Sequence, residues 1–148
     1  MVDEDAFKKT LRSNEQLPCP FGKAVLARCC DCAVAGKLSI AERESVHCTR
    51  ENAHEQCVEL FGQLRRNAMF ALRLVHPDVP LTHAGNMKLQ CGGLFGLQFA
   101  MDGSRQVSDV SALVAAAIQA YGSLEELPYS QIMQSVSAFR LRREQEQD

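Results

Sequence analysis

The chain has 148 residues, of which 46% are hydrophobic and 23% charged, and this balance is typical of one globular domain that buries its own core. The net charge of −2 argues against a general nucleic-acid-binding protein, because such proteins normally carry a surplus of basic residues. No apolar stretch approaches the roughly 20 residues that cross a bilayer. We therefore expect neither a nucleic acid nor a membrane as a partner.

The first residues are charged and lack the apolar run of an export signal. We expect residues 1–18 to form a mobile lead and the protein to be cytoplasmic. Residues 19–143 are predicted to form a single cysteine-rich helical domain, and residues 144–148 a frayed tail.

Two helical signals follow the lead. Apolar residues recur at helical spacing over residues 21–35, and Gly36 is a natural end for this helix. Ser39 is followed three residues later by Glu42, which is the form of a capping box. We therefore predict a second, short helix that begins at Ser39.

The strongest pattern predicts a long helix from about Arg50 to Val75, with Thr49 as its N-cap. Its apolar stripe recurs at three- and four-residue steps, at Cys57, Phe61, Leu64, Ala68, Leu72 and Val75. The helix should end at His76-Pro77, because the residue before a proline avoids helical angles. A loop is expected over residues 78–86.

Residues 87–107 are rich in glycine, which argues against a stable helix. They are predicted to form either a short β-hairpin near residues 87–100 or a buried irregular loop. Apolar periodicity then predicts helices over Ser108–Tyr121 and from Tyr129 to about Arg143. The fold class is therefore mainly α, with a cysteine-rich N-terminal half and one short hairpin.

Cysteine content is the feature that points to chemistry. The chain has seven cysteines, and six lie within the first 57 residues: Cys19, Cys29, Cys30, Cys32, Cys48 and Cys57. In a reducing compartment, clustered thiols are more often metal ligands or redox groups than disulfides. The odd count also means that disulfides alone cannot pair all of them.

The spacing indicates which thiols can meet. Cys29 and Cys32 share a face if the segment is helical, whereas Cys30 and Cys32 share a side if it is extended. Cys32 belongs to both pairs and is therefore the best candidate ligand of the three. Cys19 lies on a turn before this segment.

Cys48 and Cys57 are nine residues apart and would face nearly opposite ways on one helix. They can share a site only if Cys48 lies outside the long helix, beside its N-terminus, where the helix dipole favours a thiolate. Cys91 precedes two glycines, and their backbone N–H groups can approach a ligated sulfur.

Cys32, Cys48 and Cys91 are the predicted metal ligands, with Cys19 and Cys57 competing for a fourth place. The weaker candidates are Cys29 and Cys30.

Three alternatives stay open for these residues. Cys29 and Cys57 lie on apolar stripes and could simply be buried hydrophobic side chains. His54 stands one helical turn before Cys57 and could form a ligand pair with it, or it could be a solvated surface residue. Cys29-x-x-Cys32 has the form of a dithiol redox motif, but it lacks the βαβ surroundings of a thioredoxin.

Three stretches together resemble a known group of proteins: the run from Cys19 to Ala27 with the cysteines after it, Ile40-Ala-Glu-Arg-Glu, and Gln90-Cys-Gly-Gly-Leu-Phe-Gly-Leu. The chain resembles, over residues 18–97, small cysteine-rich bacterial proteins of unsettled function that are regarded as iron–sulfur binders. The resemblance implies a cluster without naming a reaction.

We therefore expect a protein that binds one iron–sulfur cluster, with 4Fe–4S favoured, and acts in electron transfer, redox sensing or cofactor delivery with a protein partner. Soft thiolates also select zinc, so a zinc-stabilised helical interaction module is the main alternative. A metal-free adaptor and a dithiol oxidoreductase are the remaining ones. The sequence has no phosphate-binding or nucleophile motif, which favours an accessory protein over an enzyme, and it leaves the oligomeric state open.

Overall fold

The structure, a computed structural model, describes residues 17–40, 43–72 and 80–140. It is mainly α-helical with one two-stranded antiparallel hairpin, as predicted for the fold class. In chain order the elements are α1 (Gly22–Leu26), β1 (Ala35–Ile40), β2 (Arg43–Cys48), α2 (Glu51–Ala71), α3 (His83–Met87), a π-helical turn (Lys88–Gly92), α4 (Gly93–Asp102), α5 (Val110–Tyr121), a 3₁₀ turn (Leu124–Glu126) and α6 (Tyr129–Ala138). No helix in these described parts is long and apolar enough to cross a membrane.

The first helix is much shorter than its periodicity predicted. α1 ends at Leu26, and Arg28 adopts a left-handed conformation with φ of 64°. An L-residue in this region cannot continue a right-handed helix, so the chain turns away there. The helix predicted over residues 21–35 is therefore wrong beyond its first turn, and the cysteines from Cys29 to Cys32 lie on an irregular segment.

The helix predicted from Ser39 is also wrong, because this segment pairs as the β-hairpin. Its register runs from Ala35 opposite Cys48 to Ile40 opposite Arg43. The buried side chain of Val46 faces α1, and a Cβ at Gly22 would lie 3.5 Å from that of Val46. Strand pairing and burial of Val46 therefore outweigh the local capping-box signal.

The long helix is confirmed as α2, with bounds shifted inward. Arg50 occupies the N-cap position and provides no side-chain cap. The hydroxyl of Thr49, the predicted cap, instead donates to the Val34 carbonyl at 2.6 Å and ties α2 to the segment before β1. The buried stripe consists of Cys57, Leu60, Leu64 and Ala68. The predicted end at Val75 and His76-Pro77 lies outside the described residues, as do most of the lead and the whole tail.

Residues 87–100 are helical, so the hairpin predicted there is wrong, and so is the irregular loop. α3, the π-helical turn and α4 follow one another without a break. The glycines serve close packing: a Cβ at Gly92 would lie 2.7 Å from the Cα of Val136, and one at Gly96 would lie 3.0 Å from the Cα of Ile132. The density of glycine here reflects the contact of the π-helical turn and α4 with α6 rather than a turn of the chain.

The last two helices are confirmed in position. α5 runs from Val110 to the predicted end at Tyr121, where Gly122 has φ of 92°. α6 begins at Tyr129 as predicted and ends at Ala138, earlier than expected. α2, α4, α5 and α6 pack around the core, whose fully buried side chains include Leu60, Leu64, Leu94, Leu97, Val114 and Ile132.

Candidate metal centre

Four cysteines from four separate segments line one small cavity: Cys19, Cys32, Cys48 and Cys57. The space at its centre is about 10 Å³, roughly that of one water-sized sphere. Its other walls are mostly apolar and come from Pro20, Val34, Ala35, Ala53 and Val110, with His54 and Ser111 beside them. This cavity is called the four-thiol cavity below.

Backbone hydrogen bonds to β2 bring Cys19 beside Cys48. The Cys19 N–H donates to the Val46 carbonyl at 3.0 Å, and the Cys48 N–H donates to the Leu17 carbonyl at 2.7 Å. Pro18 forms an isolated bridge with His47 between these two bonds. Residues 17–19 thus extend along the outer side of β2, and this pairing sets Cys19 next to the end of the strand.

Hydrogen bonds hold the segment that carries Cys32 on both sides. Its carbonyl accepts from the Ala35 N–H at 3.2 Å, at the start of β1. On the other side, the Asp109 carboxylate accepts from the Ala33 N–H at 3.0 Å, and the Asp31 N–H donates to the Val107 carbonyl at 3.2 Å. These three hydrogen bonds fix the irregular segment that carries Cys32.

Cys57 reaches the cavity from the second turn of α2 and is 6% exposed. His54 stands one turn earlier and also lines the cavity. Its Nε2 lies 3.1 Å from the Pro18 carbonyl, so its ring contacts the strand-like segment that carries Cys19. This contact explains the His54–Cys57 spacing without requiring His54 to be a ligand.

The thiols influence one another electrostatically, and burial favours their protonated forms. Burial raises the pKa of Cys19 to about 11 despite an opposing hydrogen bond from the Phe21 N–H, and the nearby Cys32 and Cys48 contribute to the rise. Burial likewise raises the pKa of Cys57 to about 12, with further contributions from the other three thiols. Clustered thiolates repel each other, so they need a bound cation to persist at neutral pH.

Hydrogen-bonding groups surround the sulfurs. The Cys48 thiol donates to the Arg50 carbonyl at 3.1 Å, and Cys32 donates to the Asp109 carboxylate. Burial alone would raise the pKa of Asp109, but hydrogen bonds from the Ala33 N–H and the Ser111 hydroxyl outweigh it and lower the pKa. Asp109 is therefore an anion that orients the Cys32 segment.

The other three cysteines form a second group. Cys91 is fully buried, and Cys29 and Cys30 lie close enough to it to affect its pKa. Burial, followed by Cys29 and then Cys30, raises the pKa of Cys91. Cys19 and Cys32 also contribute to the raised pKa of Cys30, so Cys30 lies between the two groups.

The predicted ligands are thus divided between two places. Cys32 and Cys48 share the four-thiol cavity with both competitors for the fourth place, Cys19 and Cys57, whereas Cys91 is absent from its walls. The weaker candidates, Cys29 and Cys30, lie with Cys91. Sequence spacing gave no signal for the bridge between Pro18 and His47, which brings Cys19 into the group.

Within the described ranges, no three His, Cys, Asp or Glu side chains are arranged so that they could hold a metal ion as they stand. The four thiols therefore surround a common space without closing on one point. No protein-family model matches the chain, and no curated protein or solved structure shows significant similarity to it. The resemblance to cysteine-rich iron–sulfur binders thus stays a prediction.

Proposed function

We propose that this protein binds one iron–sulfur cluster through Cys19, Cys32, Cys48 and Cys57. The observation that carries the proposal is that these four thiols, from four segments of the chain, line a single cavity with mostly apolar walls. Soft thiolate ligands select iron–sulfur clusters and zinc over hard cations, and four cysteines are the usual ligand set of a cluster.

The cavity as it stands has room for about one water-sized sphere, about 10 Å³, and no three of the described side chains are set to hold one ion. A cluster is larger than this space, so loading would require the four segments that carry the thiols to move apart. The choice of a cluster over zinc therefore rests on the ligand set of four cysteines together with the resemblance of the sequence to iron–sulfur binders, and 4Fe–4S is our proposed type.

The residues of the chain fit such a centre in two further ways. The raised pKa values of Cys19 and Cys57 mean that loading must release protons, so binding should strengthen as the pH rises. The Phe21 N–H points to the Cys19 sulfur and provides the kind of donor that tunes a cluster's potential.

The proposed role is one-electron exchange, redox sensing or cluster delivery with a protein partner. A bound cluster supplies the electron chemistry, and the chain positions it near the surface, because Cys19, Cys32 and Cys48 are only partly buried. An electron or a cluster would therefore have a short path to a docked protein. None of these roles requires the chain to act as an enzyme.

The test is anaerobic purification followed by visible absorption spectroscopy and by assays for iron and acid-labile sulfide. We expect a brown protein with both elements, and loss of the visible band in Cys32→Ala and Cys57→Ala. Cys29→Ser is the matched control, because it changes a thiol outside the four-thiol cavity and should keep the band.

Two results would contradict the proposal. The first is a colourless protein that contains zinc and loses the zinc in both alanine variants. That result would identify a zinc-stabilised helical module instead. A protein that contains neither metal and does not respond to chelators would leave only buried thiols.

A further inference from the structure

A groove with aromatic walls lies between α4 and α6. Its apolar surface comes from Phe95 and Phe99, one turn apart on α4, and from Phe139, directly after α6. The rings of Phe95 and Phe139 stand 6.0 Å apart at 52° to each other, and Phe99 is 38% exposed. The groove has a volume of about 610 Å³, which is within the usual range for sites that hold small molecules. It is called the phenylalanine groove below.

One cation stands at this apolar surface. Among the described residues that line the groove, Arg105 is the one charged side chain. Its guanidinium lies over the Phe99 ring, 4.3 Å from the ring centroid. A cation–π contact restricts the arginine side chain, and the guanidinium still carries five N–H donors in a planar fork that matches a carboxylate.

The acidic side chain closest to Arg105 along the chain is Asp102, and it is occupied elsewhere. One of its carboxylate oxygens accepts from the Gln98 side-chain amide at 2.9 Å, and the other accepts from the Ser104 N–H at 2.9 Å. The Ser104 hydroxyl in turn accepts from the Gln106 N–H at 3.0 Å, which fixes the turn. Within the described ranges, Arg105 therefore contacts a ring and is not paired with a carboxylate.

We propose that the phenylalanine groove binds a small aromatic carboxylate, a molecule with an aromatic ring, one carboxylate group and no amine. The ring of the ligand packs against the phenylalanines, and its carboxylate accepts hydrogen bonds from the Arg105 guanidinium. Charge complementarity carries the proposal, because the groove offers one cation beside apolar surface. The groove shares no lining residue with the four-thiol cavity, so the proposal does not depend on what that cavity binds.

The remaining lining residues indicate which related molecules are rejected. Gln131, Gln134 and Ser135 are neutral, and they can form hydrogen bonds with a hydroxyl or amide group of the ligand. An amine would bring its ammonium close to Arg105 and would find no acidic side chain among the described lining residues. The groove should therefore prefer an acid to the amide of the same shape, and the amide to an amine.

The test is isothermal titration calorimetry on the full chain of 148 residues, so that every segment outside the described ranges is present. Three probes share a phenylethyl group and differ in charge: hydrocinnamate is an anion, hydrocinnamamide is neutral and phenethylamine is a cation. We expect saturable binding of hydrocinnamate at millimolar concentration or below, and at least about fivefold weaker binding of the amide and of the amine. Added salt should reduce the difference between the probes.

Three variants assign the binding to this groove. Arg105→Gln should lower the affinity for hydrocinnamate to that for the amide, because it removes the charge and keeps the apolar walls. Arg43→Gln is the matched control, since it removes an exposed cation on β2 that does not line the groove, and it should bind all probes as the parent protein does. Ala138→Trp adds a large side chain at an exposed lining position and should weaken the binding of hydrocinnamate and the amide together.

Three results would overturn the proposal. The first is equal affinity of the parent protein for the acid and the amide, and the second is an unchanged preference for the acid in Arg105→Gln. The third is the absence of saturable hydrocinnamate binding to the full chain at millimolar concentration, because the groove would then not be open to such a ligand in the whole protein.

Discussion

The contact of the π-helical turn and α4 with α6 allows a prediction that has its own control in α2. A Cβ added at Gly92 would lie 2.7 Å from the Cα of Val136 and 3.0 Å from the Ser135 carbonyl oxygen. Ordinary contacts begin at 3.4 Å, so the first of these is about 0.7 Å too short, and both partners are backbone atoms. Gly62, in the middle of α2, has no atom within 4 Å of its added Cβ.

Substitution of alanine should therefore raise the free energy of unfolding at Gly62 and lower it at Gly92. Alanine gains up to about 1 kcal/mol over glycine in a helix, and Gly62→Ala should show much of this gain. At Gly92 the helix must move away from α6, and overpacking of this kind costs about 1–3 kcal/mol. Gly96→Ala should fall between the two, because its closest contacts are at 3.0 Å.

Urea unfolding followed by circular dichroism measures these differences, with the metal content of every sample matched. We expect the free energy of unfolding to be highest for Gly62→Ala, followed by the parent protein, then Gly96→Ala and finally Gly92→Ala. If Gly92→Ala were as stable as Gly62→Ala, the π-helical turn and α6 could not be in the contact described, and the explanation of the glycine-rich segment would fail.

Two further predictions concern pH and a buried amide. In the metal-free, reduced protein the pKa values of Cys19 and Cys57 lie at about 11 and about 12, above the 9.0 of an unperturbed thiol. As the pH rises, the thiols of the unfolded state therefore lose their protons before those of the folded state. The free energy of unfolding should consequently fall by a few kcal/mol between pH 9 and pH 12. Thermal unfolding at several pH values checks this, and a flat profile would refute it. Gln90→Leu leaves the buried Ala24 N–H without its acceptor and should lower the free energy of unfolding, measured in urea, by about 1–3 kcal/mol. The control Gln131→Leu, on the exposed side of α6, should change the free energy of unfolding little. Equal effects of the two substitutions would contradict the role given to Gln90.

The long helices could be predicted from the sequence because their apolar periodicity persists over several turns. α2, α5 and α6 each bury a stripe that repeats at three- and four-residue steps, and tertiary packing reinforces that pattern. Only their ends differ from the prediction, since caps depend on contacts such as that of Thr49 with Val34.

The segments that failed are those where distant contacts decide the structure. A capping box at Ser39 is a local signal worth about 1 kcal/mol, and strand pairing with burial of Val46 exceeds it. The glycines at Gly92 and Gly96 looked like helix breakers because the sequence does not show that a second helix approaches them closely.

The thiols of the candidate site could be predicted from the sequence only in part, for the same reason. Spacing along the chain required Cys48 to lie outside α2, and Cys48 does lie at the end of β2. Spacing could not show that Arg28 breaks the helix or that residues 17–19 pair with β2, and these two features decide which thiols meet. Hence Cys19 and Cys57 share a cavity with Cys32, and Cys91 does not.

The distribution of buried side chains has a consequence for how the protein is made. Among the described residues, the largest fully buried side chains lie at Leu60 or later except for Phe21, whereas the four cavity thiols all lie at Cys57 or earlier. The later part of the chain thus has the apolar interior it needs to become ordered by itself. If the four thiols bind a cluster as proposed, the hairpin region would reach its full stability only once the cluster is bound. A newly synthesised molecule would then assemble its later helices first and bind its inorganic centre last.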